Sequence, residues 1–458
     1  MKHRNAHFRR PPGRWHLPLA MGWMIACLVL GGASNAGQMA NIVLQLGGAA
    51  VIGWTLWRGT GIKPAAGERG LLLALLVLVG WIAMTLIPLP PAVWTLVPGR
   101  TFVAAGYRLL GVELPWLPLS LSDDRTVRSA LALLVPVSSY LLVRRLDPDE
   151  RNRLALAVVI AACLSVLLGM AQLLGGPDSP LRPYSITNRS DPVGLFANTN
   201  HFATMLLVAI PLAGAAFIER TETRRKTLRL RTGRAFGLGA MAICGLGLVL
   251  VGSNAGLLLL LPAMAGAVLL GPARHLLEQR RIVLALGMAG AAIAAIVVAG
   301  MSSGVLTQKL GVSATSRQQI TATTLKAARD FLPAGSGLGS FSAIYVMQSG
   351  GQGTSGSWTN HAHDDPAEVL LELGIPGLLL MGAFAVWLLR QSLAAWQDPA
   401  RTDRTARLAR AAALGLLLVV VHSFVDYPLR AAAIAALFGM ALALLIGRDD
   451  AERTGAAT

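Results

Sequence analysis

Charge is scarce in this chain. Asp, Glu, Lys and Arg make up 14% of its 458 residues, against about 25% in an ordinary soluble protein. That deficit excludes a string of soluble domains and leaves a polytopic membrane protein, in keeping with 54% hydrophobic residues and a mean hydropathy of +0.57. Cysteine is scarcer still. Cys27, Cys163 and Cys244 each stand alone inside an apolar run, which excludes a disulfide framework or a CxxC metal motif and suits small packing residues. No internal repeat and no low-complexity tract is visible beyond the Ala/Leu bias of the apolar runs.

Acidic residues are few beside basic ones, 23 against 40, for a net charge of +17. Such a surplus suits either nucleic acid or acidic lipid, and its distribution decides. Twelve apolar runs lie near 17–34, 39–57, 70–89, 127–143, 153–174, 194–218, 235–252, 255–270, 282–300, 367–389, 408–425 and 430–447. Each reads as a helix, because a segment crossing lipid must satisfy its own backbone hydrogen bonds. The basic and then apolar N-terminus resembles a signal peptide but reads as an uncleaved first span, since further spans follow. With that terminus inside, the inner face carries 29 Lys/Arg and 12 Asp/Glu, and the outer face 11 of each. The whole positive charge then falls on the cytoplasmic side, as the positive-inside rule requires. It is anchoring charge facing membrane lipids, and no nucleic-acid partner is needed.

The resulting plan is a basic cytoplasmic N-terminus (1–16), a bundle of about nine spans (17–300), a large outer loop (301–366), three C-terminal spans (367–447) and a cytoplasmic tail (448–458). Both termini are inside. Long loops are usually functional, so the chemistry is expected outside, chiefly in 301–366. That loop holds "SRQQITATTLKAARDFLPAGSGLGSF", read as a short amphipathic helix at the membrane surface that begins near Arg317 and stops at Pro333 and Gly335. The "GSGLGSF" after it lacks the GK[ST] of a nucleotide loop and reads as a tight turn packing on the bundle. The "QSGGQGTSGSW" stretch reads as a flexible lid or tether.

The loop ends in "NHAHDDPAEVLLELGIPG", where His361, His363, Asp364 and Asp365 precede an apolar run. Pro366 suits a first helical turn and either aspartate an N-cap. Capping explains the acids but not the histidines. A zinc pair or an acid/base site remains open at this point, although no third His follows at helical spacing. Other polar groups lie near spans facing the same side. Asn198, Asn200 and His201 open one apolar run; His422 and Asp426 stand at i, i+4 near the end of another, followed by Arg430. Interhelical hydrogen bonding or membership of a site both fit them. Arg182 and Arg189, in "LRPYSITNRSD", suit phosphate or lipid headgroups.

Taken in order, "GLFANTNHFA", the large outer loop, "NHAHDDPAEVLLELGIPG" and "HSFVDYPL" resemble the O-antigen ligase and polysaccharide polymerase superfamily of bacterial envelope proteins, over roughly residues 190–430. The resemblance implies an all-α polytopic inner-membrane protein of GT-C-like architecture, with about twelve transmembrane helices and a large periplasmic loop between helices nine and ten. It also implies a metal-independent, inverting glycosyltransferase without a cofactor, acting at the periplasmic face. The donor would be a glycan on a polyprenyl diphosphate, and the acceptor a lipid A core sugar (ligase) or another glycan chain (polymerase). His363 matches the family's functional histidine, with His361 and Asp364 as its orienters. Arg317 matches a loop arginine expected to hold the diphosphate, with Arg182 and Arg189 as further donor ligands. Asn198, Asn200, His201, His422, Asp426 and Arg430 are expected in support. Two positions depart from the pattern: Asp364 stands where the family usually has Asn, and Asn254, in "GSNAGL", where it has Arg. Arg182, Arg189 or Arg430 then has to replace that cation, or donor chemistry differs, or activity is reduced to that of a scaffold. From another class, a twelve-span transporter or flippase remains the alternative, but the polar groups gather at the outer rim rather than at the bilayer midplane where transporters bind.

Overall fold

The computed structural model describes residues 15–33, 39–59, 66–216, 227–270, 305–350, 359–397 and 404–447. The N-terminal tail, the basic 219–226 segment, the ninth apolar run at 282–300, most of the Gly/Ser stretch and the 448–458 tail lie outside the described residues. Within them all regular structure is helical, apart from one isolated bridge between Leu89 and Leu117. The helices run α1 (His16–Leu30), α2 (Met39–Trp57), α3 (Ala66–Thr85), α4 (Pro91–Trp94), α5 (Thr101–Leu109), α6 (Asp123–Leu131), α7 (Leu134–Arg144) and α8 (Pro148–Leu174). They continue as α9 (Thr199–Ala216), α10 (Thr227–Val251), α11 (Asn254–Leu269), α12 (Val305–Phe331), α13 (Phe341–Gln348), α14 (Asp365–Trp396), α15 (Arg404–His422) and α16 (Ala432–Ile446).

Among the described residues, six helical segments are long and apolar enough to cross a membrane: α2, α3, α6 with α7, α8, α14 and α15. Five shorter apolar helices are α1, α9, α10, α11 and α16. Together they coincide with eleven of the twelve apolar runs. The chain is thus an all-helical, multi-pass membrane protein. Local chemistry sets several boundaries. Asp147 and Glu150 form a reciprocal capping box at the start of α8, with Pro148 in the first turn. The run at 127–143 is not one smooth helix: it begins at Asp123 and breaks between α6 and α7.

Burial separates centre from rim. α9 and α16 are apolar on every face, as a helix surrounded by others must be, and nearly all their residues are buried. α9 packs against α15, α10 and α11, and α16 against α7 and α15. By contrast α3 exposes Leu72, Leu73 and Leu76, a lipid-facing face by its composition. Between α3 and α6–α7 lies an open cavity of about 390 Å³ lined by Leu75, Val79, Val127, Leu131, Leu134 and Val137 among others.

The outer segment departs from the expected short helix. α12 runs for 27 residues, because no proline interrupts it between Val305 and Phe331 and its Ser/Thr residues sit inside it rather than capping it. Ala327, Ala328 and Phe331 face inward, whereas Leu325 is exposed. After it, the 333–340 turn docks into a break in α14. Gly374 has φ +65°, and the hydrogen bonds a straight helix would make there go elsewhere. Ile375 N–H donates to Pro333 O (2.9 Å), Ser336 N–H to Leu371 O (2.8 Å), Gly337 N–H to Glu372 O (2.9 Å) and Trp81 Nε1–H to Leu373 O (3.1 Å). Buried Arg100 ties the other side of this seam by donating to Gly335 O (2.8 Å). "GSGLGSF" is thus a packing turn.

Candidate functional site

The site assembles where the N-terminus of α14 meets the turn after α15 and the start of α9. Asp364 caps α14 by accepting from Ala367 N–H (3.0 Å), so its carboxylate serves the helix rather than His363. Burial raises its pKa above the ordinary value. On the following side, Asp365 N–H donates to Ser423 O (2.9 Å) and stitches α14 to the turn after α15.

The acid on His363 is Asp426. His363 Nδ1 lies 2.8 Å from Asp426 Oδ1, with Asp426 fully buried and the His363 side chain 25% exposed. Burial opposes the ionised carboxyl, but the His363 hydrogen bond and the His363, His201 and His422 imidazoles outweigh it and hold Asp426 below the usual carboxylate range. An ionised carboxylate only accepts, so Nδ1 carries the proton and Nε2 is left as a base. Sequence spacing placed His422 and Asp426 on one helical face. In fact α15 ends at His422 and Asp426 sits in the turn beyond, held by its own N–H to His422 O (3.0 Å). His363 is the one non-glycine with positive φ (54°) among the described residues.

His361 belongs to a second acid. Its Nδ1 lies 2.8 Å from Glu368 Oε1, while Glu368 Oε2 accepts from Ala362 N–H (2.7 Å). Arg430 reaches Glu368 (3.2 Å), Glu372 (3.3 Å) and Asp365 (3.7 Å). Burial pulls that guanidinium down, yet the three carboxylates raise its pKa above the ordinary value. Tyr427 stands at the centre: its ring lies 4.3 Å from that of His361, 4.8 Å from His363 and 5.1 Å from His201 between centroids. Burial, with the neighbouring Asp426 carboxylate, raises the Tyr427 phenol above its ordinary value.

The opening of α9 forms the floor. Asn198 Oδ1 accepts from Asn200 N–H (2.8 Å), an Asx-type start that explains why the helix begins at Thr199. Asn200 Oδ1 accepts from the Ser253 hydroxyl (2.8 Å), and that serine caps α11 through Gly256 N–H. The "GSNAGL" turn with Asn254 is thereby tied to the floor of the site. His422 Nδ1 pairs with the Thr204 hydroxyl (2.9 Å). Above it, Arg317 on α12 donates to Val425 O (3.1 Å), in the turn that carries Asp426.

The expected residues thus divide. His363, His361, Arg317, His201, Asn198, Asn200, His422, Asp426 and Arg430 come to one place. Arg182 is spent on its own loop, donating to the carbonyls of Asn188 (2.8 Å), Asp191 (2.9 Å) and Arg189 (2.5 Å). Arg189 pairs with Asp178 at the surface (2.8 Å). Missed were Tyr427, Thr204, Glu368 and Glu372. The glutamates left a signal: with Asp365 they sit at i, i+3 and i+7, one helical face of an otherwise apolar run, and Arg430 follows downstream.

These features define a multi-pass helical membrane protein whose ionisable groups gather at helix ends around a histidine backed by a buried carboxylate. A family model described as O-antigen ligase matches residues 239–382, and the resemblance read from the sequence to the O-antigen ligase and polymerase superfamily is borne out. The matched stretch includes Arg317, His361, His363 and Asp364 and stops short of Asp426 and Arg430. No curated protein matches the chain.

Proposed function

We propose that the protein is an O-antigen ligase-like glycosyltransferase of the bacterial inner membrane, which moves a glycan from a polyprenyl diphosphate to an acceptor sugar hydroxyl, that of the lipid A core, at the periplasmic face. The observation that carries this reading is the His363–Asp426 pair, with Arg317 hydrogen-bonded to the adjoining Val425 carbonyl. Asp426 fixes the His363 tautomer, and Nε2 takes the proton of the acceptor hydroxyl as it attacks the anomeric carbon. The bond to the diphosphate breaks, and Arg317 neutralises the departing charge. Since the diphosphate is already a leaving group, no nucleotide and no cofactor is required. The apolar cavity between α3 and α6–α7 suits a polyprenyl chain. It is linked to the seam beside the site, because Thr126 on α6 donates to Leu338 O (2.8 Å).

A deletion strain tests the reading. Loss of all long chains from lipopolysaccharide, with polyprenyl-linked polymer accumulating, is the expected outcome; core capped with a single repeat unit would make the protein a polymerase of the same superfamily. Unchanged envelope glycans with failed solute uptake or export would replace transfer by transport. In a reconstituted assay, EDTA should leave transfer intact. Activity lost to EDTA and restored by zinc would return the HxH pair to metal binding.

A further inference from the structure

We propose that Glu368 and Arg430 form a clamp that holds the His361–His363 backbone in its left-handed, base-presenting conformation, which makes them positioning residues rather than donor ligands. A non-glycine residue at positive φ is strained and persists only where its surroundings dictate it. The surroundings here are specific. Both oxygens of fully buried Glu368 are engaged with the two residues before His363: Oε1 with the His361 ring (2.8 Å) and Oε2 with the Ala362 N–H (2.7 Å). On the far side, the Asp364 cap and the Asp365 N–H bond to Ser423 O fix the chain again. His363 is the single residue between two anchored pieces, and its φ of 54° is where the chain turns from one to the other.

Glu368 is held in turn by Arg430, whose Nη2 lies 3.2 Å from Glu368 Oε1 and 3.3 Å from Glu372 Oε2. Glu372 Oε1 accepts from Phe341 N–H (3.1 Å), so the arrangement reaches the 333–340 turn. Arg430 is the obvious cation to replace the arginine absent at position 254. The electrostatics argue otherwise. Asp365, Glu368 and Glu372 surround one guanidinium, and a diphosphate brought there would meet more negative charge than positive. Breaking such a buried pair from one side is costly, because the other charge is left uncompensated.

The catalytic part of the proposal rests on the glycosyltransfer reading; the conformational part does not. Glu368→Gln keeps an acceptor for Ala362 N–H but opposes the His361 ring with a donor, and Arg430→Lys keeps the charge but loses the fork. Both would be purified and followed by hydrogen exchange and by transfer kinetics with a polyprenyl-diphosphate glycan. The expected result in each is exchange at least tenfold faster at residues 361–364, unchanged exchange in α9, and kcat lowered at least tenfold with donor KM unaltered. A raised donor KM with intact kcat would make Arg430 a donor ligand and overturn the clamp, as would unaltered exchange at 361–364 in both variants. Should Glu368→Gln fail to fold, the Arg430→Lys arm decides alone. If the wild-type protein transfers no glycan, the functional reading falls while the exchange data still settle the clamp.

Discussion

At the scale of single residues, His363 combines two demands that few side chains meet together: a left-handed backbone and a hydrogen bond to a buried carboxylate. Asparagine meets both, since it tolerates that backbone region and its amide nitrogen overlies the position of Nδ1. His363→Asn is therefore expected to keep the fold, with a thermal midpoint within a few degrees of wild type, and to abolish transfer because nothing replaces Nε2. Asp426→Asn is expected to lower kcat by about a hundredfold or more by releasing the tautomer. The pH dependence follows from the depressed pKa of Asp426. Its stabilising contribution is complete above the unfolded-state value of about 3.9 and is lost as pH falls through the lower folded value. Thermal unfolding from pH 7 to 3 should show wild type losing stability at the acid end, and Asp426→Asn less stable at neutral pH but flatter there. His363 and Arg317 were singled out in the sequence by the resemblance to the O-antigen ligase and polymerase superfamily. The partnership with Asp426 was not, since 63 residues separate the pair and the nearer Asp364 satisfies every local rule for an orienting acid while being used as a cap.

At the scale of elements, the seam between α14 and the 333–340 turn explains glycines that periodicity alone leaves unexplained. Gly374 and Gly335 both have positive φ, and a Cβ on either would collide with the backbone of the other segment, Pro333 O in one case and Glu372 O in the other. Gly374→Ala is expected to destabilise the protein by about 2 kcal/mol or more, seen as a lowered thermal midpoint, with transfer reduced because Glu372 and Glu368 lie on the turns just before the break. Gly382, in the same helix, has open space around its α-carbon, and Gly382→Ala should be neutral or mildly stabilising. Helix positions were readable from hydropathy, which marks eleven of the twelve apolar runs as helices among the described residues. The break in α14 left a signal that hydropathy overrode: Gly374, Pro376 and Gly377 stand together in an otherwise continuous apolar run. The length of α12 was hidden because hydroxyl residues cap helices in one context and ride inside them in another.

For the whole molecule, the charge asymmetry makes a prediction about sidedness. Cysteine introduced at Ser349, in a variant without Cys27, Cys163 and Cys244, should react with an impermeant thiol reagent added to intact spheroplasts. Cysteine at Arg145 should react only after lysis. The reverse pattern would invert the topology and place the His363 site in the cytoplasm. The bundle as a set of apolar helices was legible because lipid forces backbone hydrogen bonds inward. Which helices lie at the centre was less so, because α3 and α16 are both strongly apolar while only one of them is buried.

The ion cluster also has a consequence for how the protein is made. Glu372 and Arg430 are 58 residues apart in sequence, and a ribosome adding about 5–20 residues each second needs roughly 3–12 s to bridge that interval. During it, α14 has reached the membrane with acids on its first two turns and no arginine to meet them. Only when the hairpin of α15 and α16 is delivered do Arg430 and Asp426 arrive, in the same short turn, one completing the cluster around Glu368 and the other engaging His363. A nascent chain thus completes the His363–Asp426 pair only once the turn after α15 has been delivered, and a ribosome stalled before that turn would leave an intermediate with uncompensated carboxylates on α14.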